Sequence, residues 1–245
     1  MARVAVLGCA TGIGAAGARL LAEKGNRLVL GDVNAAALGA LARDLNATAV
    51  VLDASDPEAV RGFVDQAAGE LGGLDAAWSN LGVQIAATAE TVTVEELDRS
   101  WAINVRAHAV VCGAAIPHLR TVGGGAILIT ASNAALLSEA GMLPYTVTKA
   151  AAVALARQVA RDFAPIGIRV NALCPGWVDT PFNEPAWHAY GGREKFLDAV
   201  PDLVPLRRIA TPEEIARLVA FLLSDDAAYV TGHAFVADGG ELLVV

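Results

Sequence analysis

The sequence predicts a single doubly wound α/β domain, on three observations. Short apolar runs of β type alternate with helical patterns of ten or more residues along almost the whole chain. Helices of that length between strands imply parallel pairing with right-handed crossovers, because a tight hairpin joins only antiparallel neighbours. The chain has 245 residues, 55% of them hydrophobic and 18% charged, which suits one large core and excludes a disordered polypeptide. No Pro/Ser-rich linker, internal repeat or low-complexity tract divides residues 1–245.

Taken in order, residues 3–7 read as a strand, and 13–24 carry helical spacing through Ile13, Leu20 and Leu21. Strands at 27–31 and 48–52 flank a helix at 35–45. The helix at 57–71 opens on Ser55 or Asp56 as N-cap, with Pro57 at its first position, and 74–79 is the next strand. A long helix is expected from 94 towards 119, because Thr93 and Glu96 stand in capping-box spacing. The glycine turn at 123–125 leads into a strand at 126–130. A helix at 145–164, a strand at 169–173, a helix at 211–223 with Pro212 at N1, and a strand at 234–237 complete the pattern. Only 181–205 lies outside it.

Charge and composition exclude several partners. Lys plus Arg number 18 against 26 Asp plus Glu, a net charge of −8, and no basic run or face is present. The counterion release that drives nucleic-acid binding therefore has no source, and an anionic membrane surface is equally unsuited. Mean hydropathy is +0.48, yet no stretch of about 18 residues is free of charged or punctuating residues, so a membrane span is not expected. Arg3 and the small, apolar residues to Ala18 imitate a secretory leader, but Gly8, Gly12 and Gly14 interrupt the run. Three cysteines (Cys9, Cys112, Cys174) without CxxC spacing suit a reducing cytoplasm, and four histidines without HxxxH or HExxH spacing give no metal site.

In open parallel sheets ligands bind beyond the carboxyl ends of the strands, so the residues just after each strand carry the functional information. The first strand runs into Gly8-Cys9-Ala10-Thr11-Gly12-Ile13-Gly14, a GxxxGxG spacing that opens a helix; Gly12, Gly14 and Gly17 also stand in GxGxxG spacing. Such glycines let backbone N–H groups and a positive helix end meet a pyrophosphate, or they make a tight turn with close packing. Asp32, twenty residues after Gly12, can accept the adenosine-ribose hydroxyls of a dinucleotide or cap a helix. A carboxylate there repels a 2′-phosphate, and no Arg or Lys stands at 9–11, 33 or 34, so NAD is expected over NADP. Asp53 ends the third strand and Ser79-Asn80-Leu81-Gly82 the fourth.

The most informative constellation is Ser132, thirteen residues before Tyr145, with Lys149 four after the tyrosine. Tyr and Lys at i and i+4 share a helix face, so the ammonium favours phenolate. An unperturbed tyrosine titrates near 10 and needs such help to act as a base. Ser132 can donate to an oxygen on which charge develops. Singly these are a turn residue, a packing ring and a snorkelling surface chain; together they favour chemistry.

On these residues the sequence resembles the short-chain dehydrogenase/reductase family, over essentially its whole length. The family's TGxxxGxG stands as Leu7-Gly8-Cys9-Ala10-Thr11-Gly12-Ile13-Gly14, its NNAG as Ser79-Asn80-Leu81-Gly82 and its YxxxK as Tyr145-Thr146-Val147-Thr148-Lys149. Residues 205–240 also match, through Arg207-Arg208-Ile209-Ala210-Thr211-Pro212 and Asp238-Gly239-Gly240. The resemblance implies a Rossmann-type sheet of seven parallel strands, an NAD cofactor, and hydride transfer between a secondary alcohol and the nicotinamide. It implies a catalytic set of Asn104, Ser132, Tyr145 and Lys149, with Asn104 anchoring a proton-relay water beside Lys149. The implied cofactor set is Gly8, Thr11, Gly12, Ile13, Gly14, Asp32, Val33, Asp53, Ala54, Asn80, Gly82, Tyr145, Lys149, Pro175, Gly176, Val178 and Thr180. Within it the Val178 backbone and Thr180 hydroxyl would hold the carboxamide and phosphates.

The same resemblance implies a substrate lid at 181–205, bearing Phe182, Trp187, His188, Tyr190 and Phe196, and a homotetramer assembled through the helices at 94–119 and 145–164. Gln84, Asn133, Met142, Leu143, Trp177 and Trp187 are the candidate substrate walls, and an aromatic lid favours an apolar or cyclic alcohol. Two positions depart from the family pattern: Leu7 replaces a threonine whose hydroxyl braces the turn at Asn80, and Leu81 is bulkier than the usual alanine. Ketone reduction uses the same residues in reverse. A non-catalytic dinucleotide sensor would have no need of Ser132, Tyr145 and Lys149, and an S-adenosylmethionine methyltransferase leaves the tyrosine and lysine unexplained.

Overall fold

The structure, a computed structural model, describes residues 1–244. Strands β1 (Arg3–Leu7), β2 (Arg27–Asp32), β3 (Thr48–Val51), β4 (Ala76–Ser79), β5 (Gly125–Thr130), β6 (Ile168–Pro175) and β7 (Ala234–Ala237) are all parallel. They lie in the order β3-β2-β1-β4-β5-β6-β7, the expected doubly wound sheet. The helices are α1 (Gly12–Glu23), α2 (Ala35–Leu45), α3 (Pro57–Leu71), α4 (Val94–Trp101), α5 (Ala107–Thr121), α6 (Leu143–Phe163), α7 (Glu184–Ala189), α8 (Arg193–Leu203) and α9 (Pro212–Leu223).

Two cores sandwich the sheet. Residues of α3, α5 and α6 pack on one face, around Phe63, Leu74 and Ile129. Residues of α1, α2 and α9 pack on the other, around Leu30, Trp78 and Leu128. Because both faces are covered, the central strands carry runs of consecutive apolar residues instead of alternating ones: Val4 to Leu7 of β1 are all buried. Trp78 sits at the middle of the second core and donates from Nε1 to Thr130 Oγ1 at 3.0 Å. A Cβ on Gly17 would overlap that indole, so this glycine serves the packing of α1 on the sheet.

Local chemistry sets the element ends. Asp56 is the N-cap of α3, accepting from Glu58 and Ala59 N–H, and Thr93–Glu96 and Thr211–Glu214 form complete capping boxes. The expected continuous helix from 94 is interrupted by a π turn at Ala102–Arg106. The turn carries Asn104, whose Oδ1 accepts from Val83 N–H at 2.8 Å and whose Nδ2 donates to Val83 O and Thr148 Oγ1, each at 3.0 Å. These bonds draw the wide turn against the loop after β4. Segment 181–205 is also more ordered in form than a loop: a 3₁₀ turn (Pro181–Asn183) leads to α7 and α8, where Phe196, Val200 and Val204 form a small core of their own. Among the described residues no helix is long and apolar enough to cross a membrane.

Candidate active site

A cavity of about 320 Å³ lies across the carboxyl ends of the central strands, with Asp32 and Val33 among its lining at β2 and Ser132, Tyr145 and Trp177 on the side of β5 and β6. The nucleotide side is built mainly from backbone. Gly8 and Gly12 have φ of 82° and 54°, the left-handed region that disfavours a side chain. A Cβ on Gly14 would overlap the Gly8 carbonyl and stand 2.6 Å from Cys9 Cα, so Gly14 lies beneath the turn and not on the cavity wall. Thr11 is the N-cap of α1 and spends no side-chain bond on it. The first N–H groups of α1 thus border an open glycine turn with a positive helix end, a cradle suited to a pyrophosphate.

Asp32 Oδ2 accepts from Ala10 N–H and Oδ1 from Asn34 N–H, each at 2.9 Å, tying the glycine turn to the end of β2. The N-cap of α2 is Asn34, so the capping role that Asp32 could have filled is taken. Asp53 accepts from Ser55 N–H, which holds its carboxyl below the usual range. The missing threonine at position 7 is compensated: Asn80 Nδ2 donates to Gly8 O at 2.7 Å and Asn80 N–H to Leu7 O at 2.8 Å. The Leu7 side chain is core. Ala54, Gly82, Pro175, Gly176, Val178 and Thr180 all line the cavity, as do Thr11, Gly12 and Ile13.

At the other end Ser132 follows β5, while Tyr145 and Lys149 stand on the first turns of α6, all three buried. Ser132 Oγ accepts from Ala134 N–H at 3.2 Å and donates to Asn133 Oδ1 at 3.3 Å. Lys149 Nζ donates to Leu81 O and Thr130 O, each at 3.1 Å, and lies 5.8 Å from the centre of the Tyr145 ring. A Cβ on Gly82 would stand 3.0 Å from Lys149 Nζ and 3.7 Å from Asn104 Oδ1, which puts Asn104 beside the lysine although it does not line the cavity.

Burial dominates the electrostatics of this pair. It pushes Tyr145 up to about 12, opposed by its bond to Ser132, and pushes Lys149 down to about 8. Lys149 Nζ is turned to two carbonyl oxygens, so any help it gives the phenolate acts across the 5.8 Å to the ring and not through a direct bond.

The substrate walls divide. Gln84, Asn133 and Trp177 line the cavity; Met142, Leu143 and Trp187 do not. Met142 forms a short parallel bridge with Ala87 and caps α6, and Trp187 packs against the core of the lid. Phe196 likewise is interior, with ring centres 4.9 Å from Trp177 and 5.3 Å from Tyr190. Of the lid aromatics it is Phe182 that faces the chemistry, 6.2 Å from Tyr145.

Two carboxyls here were not foreseen from sequence. Glu139 lines the cavity, and Glu241 is buried behind it, accepting from Asn133 Nδ2 at 2.7 Å and Trp177 Nε1 at 3.1 Å. Glu241 is 108 residues from Asn133 and belongs to no motif, so no sequence signal marks it.

Comparison with known proteins bears on the family and the fold. A family model described as enoyl-(acyl carrier protein) reductase matches residues 8–241. Cis-4-hydroxycyclohexanecarboxylate dehydrogenase of Sinomonas cyclohexanicum is 36% identical over 99% of this chain and 97% of its own. Dehydrogenase/reductase SDR family member 4 of Oryctolagus cuniculus is 35% identical, covering 97% of this chain and 93% of its own. The crystal structure of L-sorbose reductase from Gluconobacter frateurii, complexed with NADPH and L-sorbose, superposes with a TM-score of 0.93 at 30% identity, covering 100% of this chain and 98% of that one.

Proposed function

Because this chain belongs to the short-chain dehydrogenase/reductase family, whose members are oxidoreductases, we propose that it is an NAD-dependent dehydrogenase of secondary alcohols with Tyr145 as general base. The observation that carries the reading is the convergence of Ser132, Tyr145 and Lys149 in one cavity with Asp32 and the glycine turn. Bound NAD supplies the hydride acceptor at nicotinamide C4. The glycine turn and the start of α1 would hold its pyrophosphate, Asp32 the adenosine ribose, with Val33, Asp53 and Ala54 beside the adenine. Val178, Thr180 and Lys149 would hold the nicotinamide half. The L-sorbose reductase neighbour carries NADPH. In this chain NAD is favoured because the carboxylate of Asp32 is followed by Val33 and Asn34, neither of which carries a positive charge to offset a 2′-phosphate.

Tyr145 Oη takes the proton of the substrate hydroxyl, while Ser132 Oγ–H donates to the same oxygen as its negative charge grows. Lys149, as ammonium, steadies the phenolate, and Asn104 holds the water through which the proton leaves. Phe182 and Trp177 supply the apolar contact that suits a cyclic or otherwise apolar alcohol, and the relative from Sinomonas is named for a cyclic alcohol that also bears a carboxylate, cis-4-hydroxycyclohexanecarboxylate, which supports the ring and not the absence of charge. Ketone reduction uses the same residues in reverse, with the Tyr145 phenol, which burial keeps protonated, giving its proton to the carbonyl oxygen as Ser132 donates to it.

A reducing, cytoplasmic setting suits Cys9, Cys112 and Cys174, all buried free thiols. Assembly as a homotetramer through α4, α5 and α6 is supported by exposed Val94, Leu97, Trp101 and Val147, and sedimentation tests it. The decisive experiment titrates the protein with NADH and NADPH by fluorescence, then screens cyclic and acyclic secondary alcohols with NAD, and the matching ketones with NADH, by reduced-nicotinamide absorbance. Tighter NADH binding with turnover of cyclic alcohols is expected. Tighter NADPH binding overturns the nucleotide assignment, and binding without turnover of any alcohol or ketone leaves a sensor.

A further inference from the structure

Glu241 lies outside every motif, and its carboxyl is almost fully buried, yet it closes a chain of hydrogen bonds that ends on Ser132. Both of its partners are N–H donors: Asn133 Nδ2 to Oε2, and Trp177 Nε1 to Oε1. Trp177 can only donate, whereas the two ends of an asparagine amide are of opposite character. An ionised Glu241 accepts at both oxygens, so it turns the NH₂ of Asn133 towards itself and leaves Asn133 Oδ1 facing Ser132 Oγ. The Ser132 hydroxyl already accepts from Ala134 N–H, and its one hydrogen is then drawn to Asn133 Oδ1 in competition with the oxygens on the cavity side, Tyr145 Oη and the reacting oxygen. A protonated Glu241 has a different solution. Its carbonyl oxygen keeps Trp177, its O–H donates to Asn133 Oδ1, and the amide turns to present NH₂ to Ser132 Oγ. The hydroxyl hydrogen of Ser132 is then left for the cavity side, where Tyr145 and the reacting oxygen lie.

We propose that Glu241 is a positioning residue: through the Asn133 amide it sets the direction in which the Ser132 hydroxyl donates. The inference rests on the alcohol–ketone chemistry assigned to Ser132 and Tyr145 above. Glu139, from the segment before α6, and Asp238, from the turn after β7, are the acidic groups facing Glu241, and Asp238 is itself tied to Gly240 and Leu242 N–H. Burial and these two neighbours hold the Glu241 carboxyl up at about 7, against the pull of Asn133 and Trp177, so both amide orientations fall within the working range of pH.

The substitution Glu241→Gln separates the cases without changing shape. With Oε1 committed to Trp177, Nε2 must face Asn133, which fixes the turned amide at every pH. The wild-type kcat profile should carry an ionisation near 7 that E241Q lacks, with the variant following the low-pH branch throughout. The two proteins should coincide at low pH and differ by about three- to tenfold at high pH, the worth of one neutral hydrogen bond. Nuclear magnetic resonance of the wild type gives a readout that needs no turnover. The Asn133 side-chain NH₂ signals, assigned by their loss in Asn133→Ala, should move with pH around the same midpoint. Superimposable kcat profiles, or an Asn133 amide indifferent to pH, overturn the proposal. Absence of turnover on every alcohol and ketone with either nucleotide would sink the reaction assigned above instead, and the amide signal alone then decides whether Glu241 sets its orientation.

Discussion

The two ends of the cavity are made in different ways. On the nucleotide side the shape comes from main chain: Gly8 and Gly12 in left-handed conformations, Gly14 pressed on the Gly8 carbonyl, and Asn80 bonded to Leu7 and Gly8. On the substrate side it comes from side chains brought together over long distances in sequence, with Glu241 meeting Asn133 across 108 residues and Trp177 across 64. A site made of backbone demands particular residue types at fixed spacing, and so leaves a motif. Side chains that converge from distant segments, as Glu241, Asn133 and Trp177 do beside the local Tyr145–Lys149 pair, leave none, and can change their ligand without disturbing the first.

That contrast predicts separable losses. The largest effect belongs to Tyr145→Phe, which removes the proton acceptor and should lower turnover by about 10²- to 10⁴-fold while NADH binding, followed by fluorescence, stays close to wild type. Unchanged turnover would move the proton step to another group. Next comes Asp32→Ala combined with Val33→Arg. It should cost about 10- to 100-fold in kcat/KM with NAD and turn the preference to NADP, with KM for the alcohol little altered. A preference that does not move would take Asp32 out of the ribose site.

The pH response is smaller and has a definite sign. Tyr145 is held high and Lys149 low by burial, and oxidation needs the phenolate with the ammonium still charged. Alcohol oxidation should therefore rise by up to about tenfold per pH unit below the Lys149 midpoint near 8, and ketone reduction, which needs the phenol, should not rise over that range. Initial rates in both directions across pH 6 to 9 check this, and parallel profiles would contradict it. The smallest effect is expected for Phe196→Ala. By loosening the packing of Trp177 and Tyr190 in the lid, it should raise KM for the alcohol and leave NADH affinity intact. Equal loss of both would mean that the two ends are one mechanical unit.

The same contrast explains what could be read in advance. The helix at Ala35–Leu45 and the strand at Arg3–Leu7 have their expected bounds, because apolar spacing and caps are local signals. The glycine turn, Asp32, Ser132, Tyr145 and Lys149 each sit just beyond a strand or on one helix face, positions that local pattern exposes, and the fold brings them to one cavity. The π turn at Ala102–Arg106 was missed, since one extra residue in a turn barely disturbs a helical apolar pattern. Trp187 was assigned to the substrate because aromatic residues in a lid look alike in sequence, whether they face a ligand or, as here, build the lid's own core. The altered balance between Tyr145 and Lys149 needed knowledge of depth, which i, i+4 spacing does not contain.

The sheet order also bears on how the chain comes into being. β1 is made first, yet it is flanked by β2 on one side and by β4, Ala76–Ser79, on the other. During synthesis the open edge of β1 stays without a partner until those later residues have left the ribosome. Every other pairing waits likewise for a helix to cross over, because no hairpin joins any two strands. A nascent chain this apolar is therefore exposed to wrong partners for as long as translation of the segment from β1 to β4 takes, and slowed elongation there should raise its demand for chaperones.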